Sequence, residues 1–513
     1  MAAGTYKPTT GTDRTISFKM RNNLAIYGGF AGTETELNQR NWMTNVTILS
    51  GDIGAAGDNA DNSYHVVMNN FAMSPPLDAT AVLDGFTITG GNANGATNET
   101  SGGAGICNIW CHPAIANCHF SGNYASERGG AVYNSYANPS YFNCSFSGNQ
   151  ADEGGAMYNY QSSSFAITNC SFSENQANSL GGAMINASSS FPTITHCSFT
   201  SNYATGAGGA IHNYSLCSPV ITDCSFMGNS VWPDGGTGGA IYNELNAAPA
   251  ITNCSFNGNQ ALLGGAIMNH ESAPGIVNCS FSGNLANSSG GGIYNTSPGS
   301  TPAITNCIFY GNSSEIANDA GANPTINYSI VKGGYPGTGN LDVDPQFVLQ
   351  PPIGPGTTGD LRLQPCSPAI NIGNDAANNT TLDLDGNARK FGTIDMGAYE
   401  RQSDKPIVWY LDINTTGNGD GTSWANAFTD MATALAQLNT CNTTDTLKIA
   451  AGTYRTNVPP YGPYEFDKLQ GVILGGYPTG GGERNPEVNL TIIWNTVNVR
   501  QSMRIDGVRL YGD

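Results

Sequence analysis

Apolar and polar residues alternate with period two along the central part of this chain. In residues 249–269, for example, the order is PAITNCSFNGN, a loop of variable length, and then GGAIMN. A period of two indicates strands, and the frequent Pro, Gly and Asn residues cut those strands short, as in a parallel β-helix. We predict three strands per repeat, formed by Pro-x-Ile-Thr, Cys-x-Phe and Gly-Gly-Ala-Ile-x-Asn.

The same unit recurs eight times between Cys118 and Cys307, at spacings of 25 to 30 residues. Such spacings are typical of solenoids, whose turns stack about 4.8 Å apart. We therefore expect one inward column of cysteines and one of phenylalanines. The cysteines are Cys118, Cys144, Cys170, Cys197, Cys224, Cys254, Cys279 and Cys307, and the phenylalanines are Phe120, Phe146, Phe172, Phe199, Phe226, Phe256, Phe281 and Phe309. Stacked parallel neighbours seldom have disulfide geometry, so we predict free, buried thiols.

A corner is predicted between the first two strands of each repeat. Ile251 and Cys254 lie three residues apart, so both point inward only if the chain bends at Asn253, a residue type that tolerates left-handed conformations. The equivalent asparagines are expected to form a hydrogen-bonded ladder: Asn117, Asn143, Asn169, Asn253, Asn278 and Asn306. In this column, His196 and Asp223 replace asparagine in adjacent repeats. We interpret them as a substituted part of the ladder that satisfies itself, rather than as a catalytic pair, because no nucleophile is placed beside them.

The repeats contain two recurring motifs. Phe-x-x-Asn occurs from Phe120 to Asn312, and Gly-Gly-Ala-[Ile/Val/Met] occurs from Gly129 to Gly264, with Gly290-Gly291-Gly292-Ile293 as a variant. Together they resemble the repeats of the polymorphic outer-membrane protein family. That resemblance implies a right-handed parallel β-helix and a role in adhesion at the bacterial surface. Members of that family end in a membrane barrel, and this sequence departs from them there.

The segment after the repeats resembles the choice-of-anchor terminal region of bacterial secreted β-helix proteins. It contains NLDVDPQF, SPAIN, DLDGN and DMGAYE between residues 340 and 400. We expect it to end the solenoid, because an open strand edge must be covered. Its DLDGN run makes Asp383, Asp385 and Asn387 a weak calcium candidate, since the rest of an EF-hand is missing. No other cofactor is expected.

A second module is predicted to begin within the chain. IAAGTYR at residues 449–455 repeats MAAGTYK at residues 1–7, and LGGY at residues 474–477 repeats YGGF at residues 27–30. Before it, Met431, Ala434, Leu435 and Leu438 lie on one face of a short helix that would serve as a lid. The chain therefore looks like a part of a longer tandem array.

These patterns together predict an all-β chain: a right-handed parallel β-helix with a short α-helical cap at the start of a second module. The expected divisions are first rungs at 1–100, the repeat body at 101–332, C-terminal rungs and cap at 333–403, a linker and cap at 404–448, and the first rungs of a second β-helix at 449–513.

The net charge and the length of apolar runs exclude some classes of binding partner. The net charge is −19, so nucleic acid and anionic lipid are unsuitable partners, and no apolar run has membrane-spanning length. The cysteines outside the main column are the more plausible disulfide partners. They are Cys107, Cys111, Cys217, Cys366 and Cys441.

The sequence argues against an enzyme. Between residues 101 and 331 the only Lys or Arg is Arg128, and the acidic residues Glu127, Asp152, Glu153 and Glu174 lie near variable loops. A polysaccharide lyase or hydrolase needs a base, a metal cluster or two converging carboxylates. Catalysis on polysaccharide remains the less favoured alternative.

A binding role is favoured instead. The residue before the closing Asn of each repeat is often aromatic, and that column would offer sugar or protein contacts if it faced outward; the alternation equally permits rings packed beneath the loops. The candidate binding residues are Tyr133, Tyr158, His212, Tyr242 and Tyr294. We predict a secreted or cell-surface bacterial β-helix rod, an adhesin or extracellular scaffold. Its partner would be a surface glycan, a protein, or other copies of itself end to end in a filament, without direct membrane insertion.

Overall fold

The computed structural model describes residues 1–70, 75–97, 99–161, 164–232, 235–365, 367–402, 408–438, 445–455, 464–466, 471–494, 497–499 and 504–511. The chain forms two compact units. The first comprises Met1–Leu363 and Pro368–Arg401, and the second comprises Gln364–Ser367 and Gln402–Asp513. Within the described ranges, no helix has the length and apolarity that crossing a bilayer requires.

The first unit is a right-handed parallel β-helix, as predicted, with four long sheets whose neighbouring strands all run parallel. The phenylalanine sheet has twelve strands: Gly4–Tyr6, Thr47–Ser50, Thr87–Thr89, His119–Ser121, Ser145–Ser147, Ser171–Ser173, Ser198–Thr200, Ser225–Met227, Ser255–Asn257, Ser280–Ser282, Ile308–Phe309 and Ile330–Val331. The alanine sheet has eight: Asn92–Ala93, Tyr124–Ala125, Gln150–Glu153, Gln176–Leu180, Tyr203–Ala204, Ser230–Val231, Gln260–Leu263 and Leu285–Ser289.

Two further sheets complete each turn. The asparagine sheet has ten strands: Val67–Asn70, Ile106–Ile109, Val132–Ser135, Met157–Tyr160, Met184–Ala187, Ile211–Tyr214, Ile241–Glu244, Ile267–His270, Ile293–Thr296 and Ile316–Asn318. The isoleucine sheet has eleven: Leu24–Tyr27, Ala81–Asp84, Ala114–Ala116, Ser140–Phe142, Ala166–Thr168, Thr193–Thr195, Val220–Thr222, Ala250–Thr252, Gly275–Val277, Ala303–Thr305 and Thr325–Asn327. Short 3₁₀ turns lie at Leu37–Gln39 and Asp375–Ala377.

The prediction of three strands per repeat was wrong, because each full repeat contributes four strands, one to each long sheet. The missed strand belongs to the alanine sheet, where the chain continues from the Asn of Phe-x-x-Asn towards the Gly-Gly turn. Its inward residue is usually a single buried alanine, such as Ala151 or Ala177, paired in register with its neighbour. So small a residue gives a weak hydrophobic signal, and the varying length after it looks like a loop.

Stacked aromatic rings run through the main core. Phe120 to Phe309 form seven consecutive stacked pairs, with ring centroids 4.5 to 4.9 Å apart. The cysteines that precede each strand of this sheet, and isoleucines of the other two large sheets, lie in the same continuous cluster. Each repeat therefore buries identical groups against identical groups, which fixes the register of the stack.

Two asparagine ladders lie buried beside this core. In the first, each Nδ2 donates to Oδ1 of the next rung at 2.8 to 3.0 Å; it comprises Asn123, Asn149, Asn175, Asn202, Asn229, Asn259, Asn284 and Asn312. The second, with the same bond at 2.8 to 2.9 Å, comprises Asn69, Asn108, Asn134, Asn159, Asn186, Asn213, Asn243, Asn269, Asn295 and Asn318. These chains of bonds satisfy amides that would otherwise be buried at a cost.

The predicted corner is confirmed, but its ladder is only partial. The eight corner residues from Asn117 to Asn306 all adopt positive φ between 51° and 56°. Asn143 donates to Asn117 at 2.6 Å and Asn306 donates to Asn278 at 3.1 Å, whereas Asn278 itself donates to Asn378. The sequence identified the bend correctly and assigned the continuous ladder to the wrong asparagines.

All eight cysteines of the column from Cys118 to Cys307 are buried, and their thiols are free. The expected disulfides outside the column are not formed by Cys107, Cys111 or Cys217, which are also free and buried. Cys107 lies in an outer cluster with Tyr133, whereas Cys111 lies in the main core, so the two thiols belong to separate layers. Cys366 and Cys441 lie outside the described residues.

The segment after the repeats folds back beside the last rungs. Ala398 N donates to Ser280 Oγ at 3.0 Å, and Gly356 N donates to Gly258 O at 3.1 Å. Within it, Phe347–Leu349 pairs antiparallel with Asp360–Leu363. This segment therefore covers the outer side of the phenylalanine sheet.

The second unit has its own core. Its four-stranded sheet comprises Val408–Leu411, Asp445–Ala450, Gly471–Tyr477 and Arg504–Asp506; a three-stranded sheet comprises Gly452–Arg455, Thr491–Trp494 and Val508–Tyr511; and Tyr464–Phe466 pairs with Val497–Val499. The helix Met431–Leu438 starts after Asp430, whose Oδ2 accepts from Thr433 N at 2.7 Å. Buried Met431, Ala434 and Leu435 pack against the sheet, as a lid requires, while the Leu438 side chain lies outside the described residues.

The two copies of AAGTY make the same hydrogen bonds. Ala3 N donates to Phe30 O at 2.7 Å, and Ala451 N donates to Tyr477 O at 2.7 Å. The equivalent threonines also match, since Gly29 N donates to Thr47 Oγ1 at 2.9 Å and Gly476 N donates to Thr491 Oγ1 at 3.0 Å. The internal repetition seen in the sequence is therefore a repetition of local structure.

Candidate functional site

The aromatic column that could have faced solvent is buried. Tyr133, Tyr158, His212 and Tyr242 expose between 2% and 9% of their surface, and Tyr294 is half-buried. The structure shows the other alternative, in which these rings pack beneath the loops. They lie on the outer side of the asparagine sheet, in two small clusters that include Leu180, Ala207 and Leu263 of the chain approaching the Gly-Gly turn. The proposed exposed ring surface is therefore absent at these five residues.

A polar group lies at the edge of this outer layer. His212 Nε2 lies 3.2 Å from Glu244 Oε2, and Tyr242 Oη lies 3.3 Å from His270 Nδ1. The hydrogen bond from His212 lowers the pKa of Glu244. An imidazole bonded in this way holds the carboxylate ionised at the boundary of an apolar layer, which is a structural role.

The corner residues His196 and Asp223 are neighbours, but no hydrogen bond joins their side chains. His196 Nε2 lies 3.6 Å from Asp223 Oδ2, whereas Asn253 Nδ2 donates to Asp223 Oδ1 at 3.0 Å. Burial raises the pKa of Asp223. His196 and Asp223 thus occupy two asparagine positions of the corner column, and Asp223 is bonded to the next corner residue, Asn253.

The calcium candidate residues are bonded to protein donors. Asp383 Oδ1 accepts from Asp385 N at 3.0 Å and from Asn387 N at 2.8 Å, and its Oδ2 accepts from Glu400 N at 2.9 Å. The Asp385 carboxylate accepts two bonds from Arg362, at 2.6 and 2.8 Å. These oxygens stabilise a turn and an ion pair, and no group of three His, Cys, Asp or Glu side chains in the described part of the chain is arranged to hold a metal.

Of the charged residues considered for catalysis, Arg128, Glu153 and Glu127 pair locally, and Asp152 and Glu174 are exposed. Arg128 Nε lies 3.9 Å from Glu153 Oε2, and its guanidinium lies 5.4 Å from the centre of the Tyr158 ring. Glu127 Oε2 accepts from Ser101 Oγ at 3.0 Å. Burial raises the pKa of Glu153. The Arg128 guanidinium therefore packs over the Tyr158 ring and covers it.

The alanine sheet presents a regular outer face. Its buried alanines alternate with outward side chains, of which Tyr124, Gln150 and Gln176 are exposed and Tyr203 and Gln260 are half-buried. Strand stacking spaces these residues about 4.8 Å apart, so eight rungs extend over about 34 Å. The outward column from Tyr124 to Gln260 carries amides, phenol rings and one hydroxyl, which suits uncharged polar partners, and Asp152 is an exposed charge beside it.

A cleft opens at the first rungs of this face. Its volume is about 410 Å³, and it lies between an asparagine-rich loop and the alanine sheet. The lining residues are Asn59, Asn62, Gly91, Asn92, Asn94, Gly122, Asn123, Tyr124, Gly148 and Gln150. Sequence reasoning missed this site, although DNADN at residues 58–62 and GGNANG at residues 90–95 are unusually rich in asparagine for connecting segments.

Comparison with known proteins supports the repeat assignment. The Chlamydia polymorphic membrane protein (Chlamydia_PMP) repeat model matches four segments: residues 117–135, 196–214, 223–244 and 278–296. Each begins at or beside the corner and reaches the end of the asparagine-sheet strand, so one match spans most of one turn.

Among solved structures, the chain is similar to a mutant of the PL6 family alginate lyase AlyGC, at 10% identity and a TM-score of 0.18. That match covers 86% of this chain and 68% of the lyase. No protein in the curated set matches the sequence significantly. The chain is therefore a right-handed parallel β-helix built from repeats similar to those of Chlamydia polymorphic membrane proteins.

Proposed function

We propose that this chain is an extracellular rod of the bacterial cell surface that acts in adhesion or as a scaffold. The observation that carries the proposal is the face of the alanine sheet, where six successive rungs, from Tyr124 to Gln260, each place one uncharged polar side chain outward at a regular spacing. The stacked phenylalanines and the two asparagine ladders hold that face rigid from beneath, and a rigid surface loses little entropy on binding. The match to a membrane-protein repeat supports a location at the surface.

The non-enzymatic role remains a prediction. Support comes from the pairing of Arg128 with Glu153, and from the bonding of Asp383 and Asp385 to protein donors. A general base must reach a substrate proton, and a base engaged in the packing of an outer layer is poorly placed to do so. Self-association end to end also remains a prediction.

Adhesion can be tested directly with the full chain. Fluorescent beads coated with the 513-residue protein are expected to attach to cultured epithelial cells several-fold more than albumin-coated beads, and soluble chain should compete. Because the outward column from Tyr124 to Gln260 is uncharged, attachment should change little when the salt concentration is raised. Attachment equal to that of albumin beads would overturn the adhesive role, and attachment abolished by salt would contradict recognition through this face.

A further inference from the structure

The asparagine-rich cleft contains side-chain acceptors without donors. Asn62 and Asn92 are 2% and 7% exposed, and the Oδ1 atom of each has no hydrogen-bond partner among the residues that the structure describes. Both residues line the cleft, but these two oxygen atoms are themselves buried, so the amides that a ligand can reach are the exposed ones of Asn59, Asn94 and Gln150.

The orientation of the Asn62 and Asn92 amides is fixed by the protein. Asn92 Nδ2 donates to Asn59 O at 2.5 Å, and Asn62 Nδ2 donates to Asn59 Oδ1 at 3.4 Å. Arg14 donates to Asn62 O at 2.6 Å and to Asn92 O at 2.9 Å, and it also holds Asn94 Oδ1 at 2.6 Å. The site is therefore built before any ligand arrives, with Arg14 as a positioning residue.

The chemistry of the lining selects an uncharged ligand rich in hydroxyl groups. The lining side chains are asparagine, glutamine and tyrosine, and an amide both donates and accepts, as adjacent sugar hydroxyls do. Tyr124 is 41% exposed and offers a ring to the C–H face of a pyranose. The glycine turns leave the floor open, since a Cβ on Gly148 would meet no atom within 4 Å.

We propose that this cleft binds a neutral saccharide, through the exposed amides of Asn59, Asn94 and Gln150 and the ring of Tyr124. The volume of about 410 Å³ lies in the range of small-molecule sites, roughly 300–1,000 Å³. This inference rests on the proposed adhesive function and names its ligand class. A peptide is disfavoured because the lining has no apolar pocket for a side chain.

A panel of neutral oligosaccharides tests the proposal. We would titrate the full chain with di- to tetrasaccharides of hexoses and N-acetylhexosamines, and with sialylated and sulfated counterparts, by calorimetry. At least one neutral member is expected to bind. Tyr124→Ala and Gln150→Ala should each weaken that binding by about tenfold, while Tyr124→Phe should retain most of it because the ring remains.

Controls lie on other faces of the rod. Tyr214→Ala, on the asparagine sheet, and Phe142→Ala, on the isoleucine sheet, change exposed rings outside the cleft, so binding should be unchanged. The proposal is overturned if no neutral member binds at millimolar concentration, if only acidic members or a peptide bind, or if the cleft and control variants behave alike. Bead attachment that persists in Tyr124→Ala would contradict this inference and leave the adhesive role intact. Saccharide binding without bead attachment would contradict the adhesive role and leave this inference intact.

Discussion

Replacing Asn202 with alanine is expected to lower the free energy of unfolding of the repeat unit by about 3–5 kcal/mol. Asn202 Nδ2 donates to Phe172 O and to Asn229 Oδ1, both at 2.9 Å, and its Oδ1 accepts from Asn175 N and Nδ2 at 3.1 and 2.9 Å. Removing the amide leaves several buried groups without partners in one step, and each such group costs about 1–3 kcal/mol. Urea unfolding followed by far-ultraviolet circular dichroism measures the loss.

An exposed asparagine of the preceding turn provides the control. Asn178 is exposed, so Asn178→Ala should change stability by no more than about 0.5 kcal/mol. Equal effects of the two substitutions would show that the ladder does not stabilise the fold.

The charge variant Asn202→Asp adds a test by pH. Its carboxylate would face the acceptor Asn229 Oδ1 in a buried site, which raises the pKa of the new group in the folded state above its unfolded value. The protonated form is thus favoured by folding, so the variant should be least stable at neutral pH and recover as pH falls below the folded-state pKa. A destabilisation independent of pH would contradict burial of this position.

The second large effect is expected at the middle of the phenylalanine stack. Phe199 is fully buried, with its ring centroid 4.8 Å from that of Phe172 and 4.9 Å from that of Phe226. Phe199→Ala should cost about 3–5 kcal/mol, because it leaves a cavity between two rings that cannot close without breaking strand register. The same urea unfolding experiment measures it.

Phe142 is the control for the phenylalanine prediction, because its side chain is 50% exposed on the isoleucine sheet. Phe142→Ala should cost less than about 1 kcal/mol. Similar losses for Phe199→Ala and Phe142→Ala would mean that the stack contributes nothing beyond ordinary surface contacts.

The stacking of the repeats could be predicted from the sequence because chemically distinct residues recur in phase. Cysteine and phenylalanine each occur once per turn at a constant offset, so only one register places them in columns. Asparagine occurs at three positions in most turns: at the corner, in Phe-x-x-Asn and in the asparagine-sheet strand. Composition does not separate these three, and burial alone decides which of them form continuous ladders.

The candidate site was less predictable, for two physical reasons. In Gly-Gly-Ala-Ile-Tyr-Asn, alternation alone permits either Ile or Tyr to be the buried residue. In the structure the Tyr133 position is also buried, because a strand that the sequence does not reveal covers it and its equivalents. The cleft brings together segments at residues 59–62, 91–94, 122–124 and 148–150. Their proximity follows from the stacking of four turns, so no local motif marks it.

The central claim is that identical rungs stack in register around one core, and the reactivity of individual thiols tests it most directly. Burial raises the pKa of the Cys144 and Cys254 thiols well above the usual range, and no disulfide protects them. We would alkylate the native chain with a light reagent, unfold it, alkylate it with a heavy reagent, and identify each cysteine by peptide mass spectrometry. The account predicts that the eight cysteines from Cys118 to Cys307 carry only the heavy label. Light labelling of any of them at the rate seen in the unfolded chain, or disulfides joining them, would contradict it.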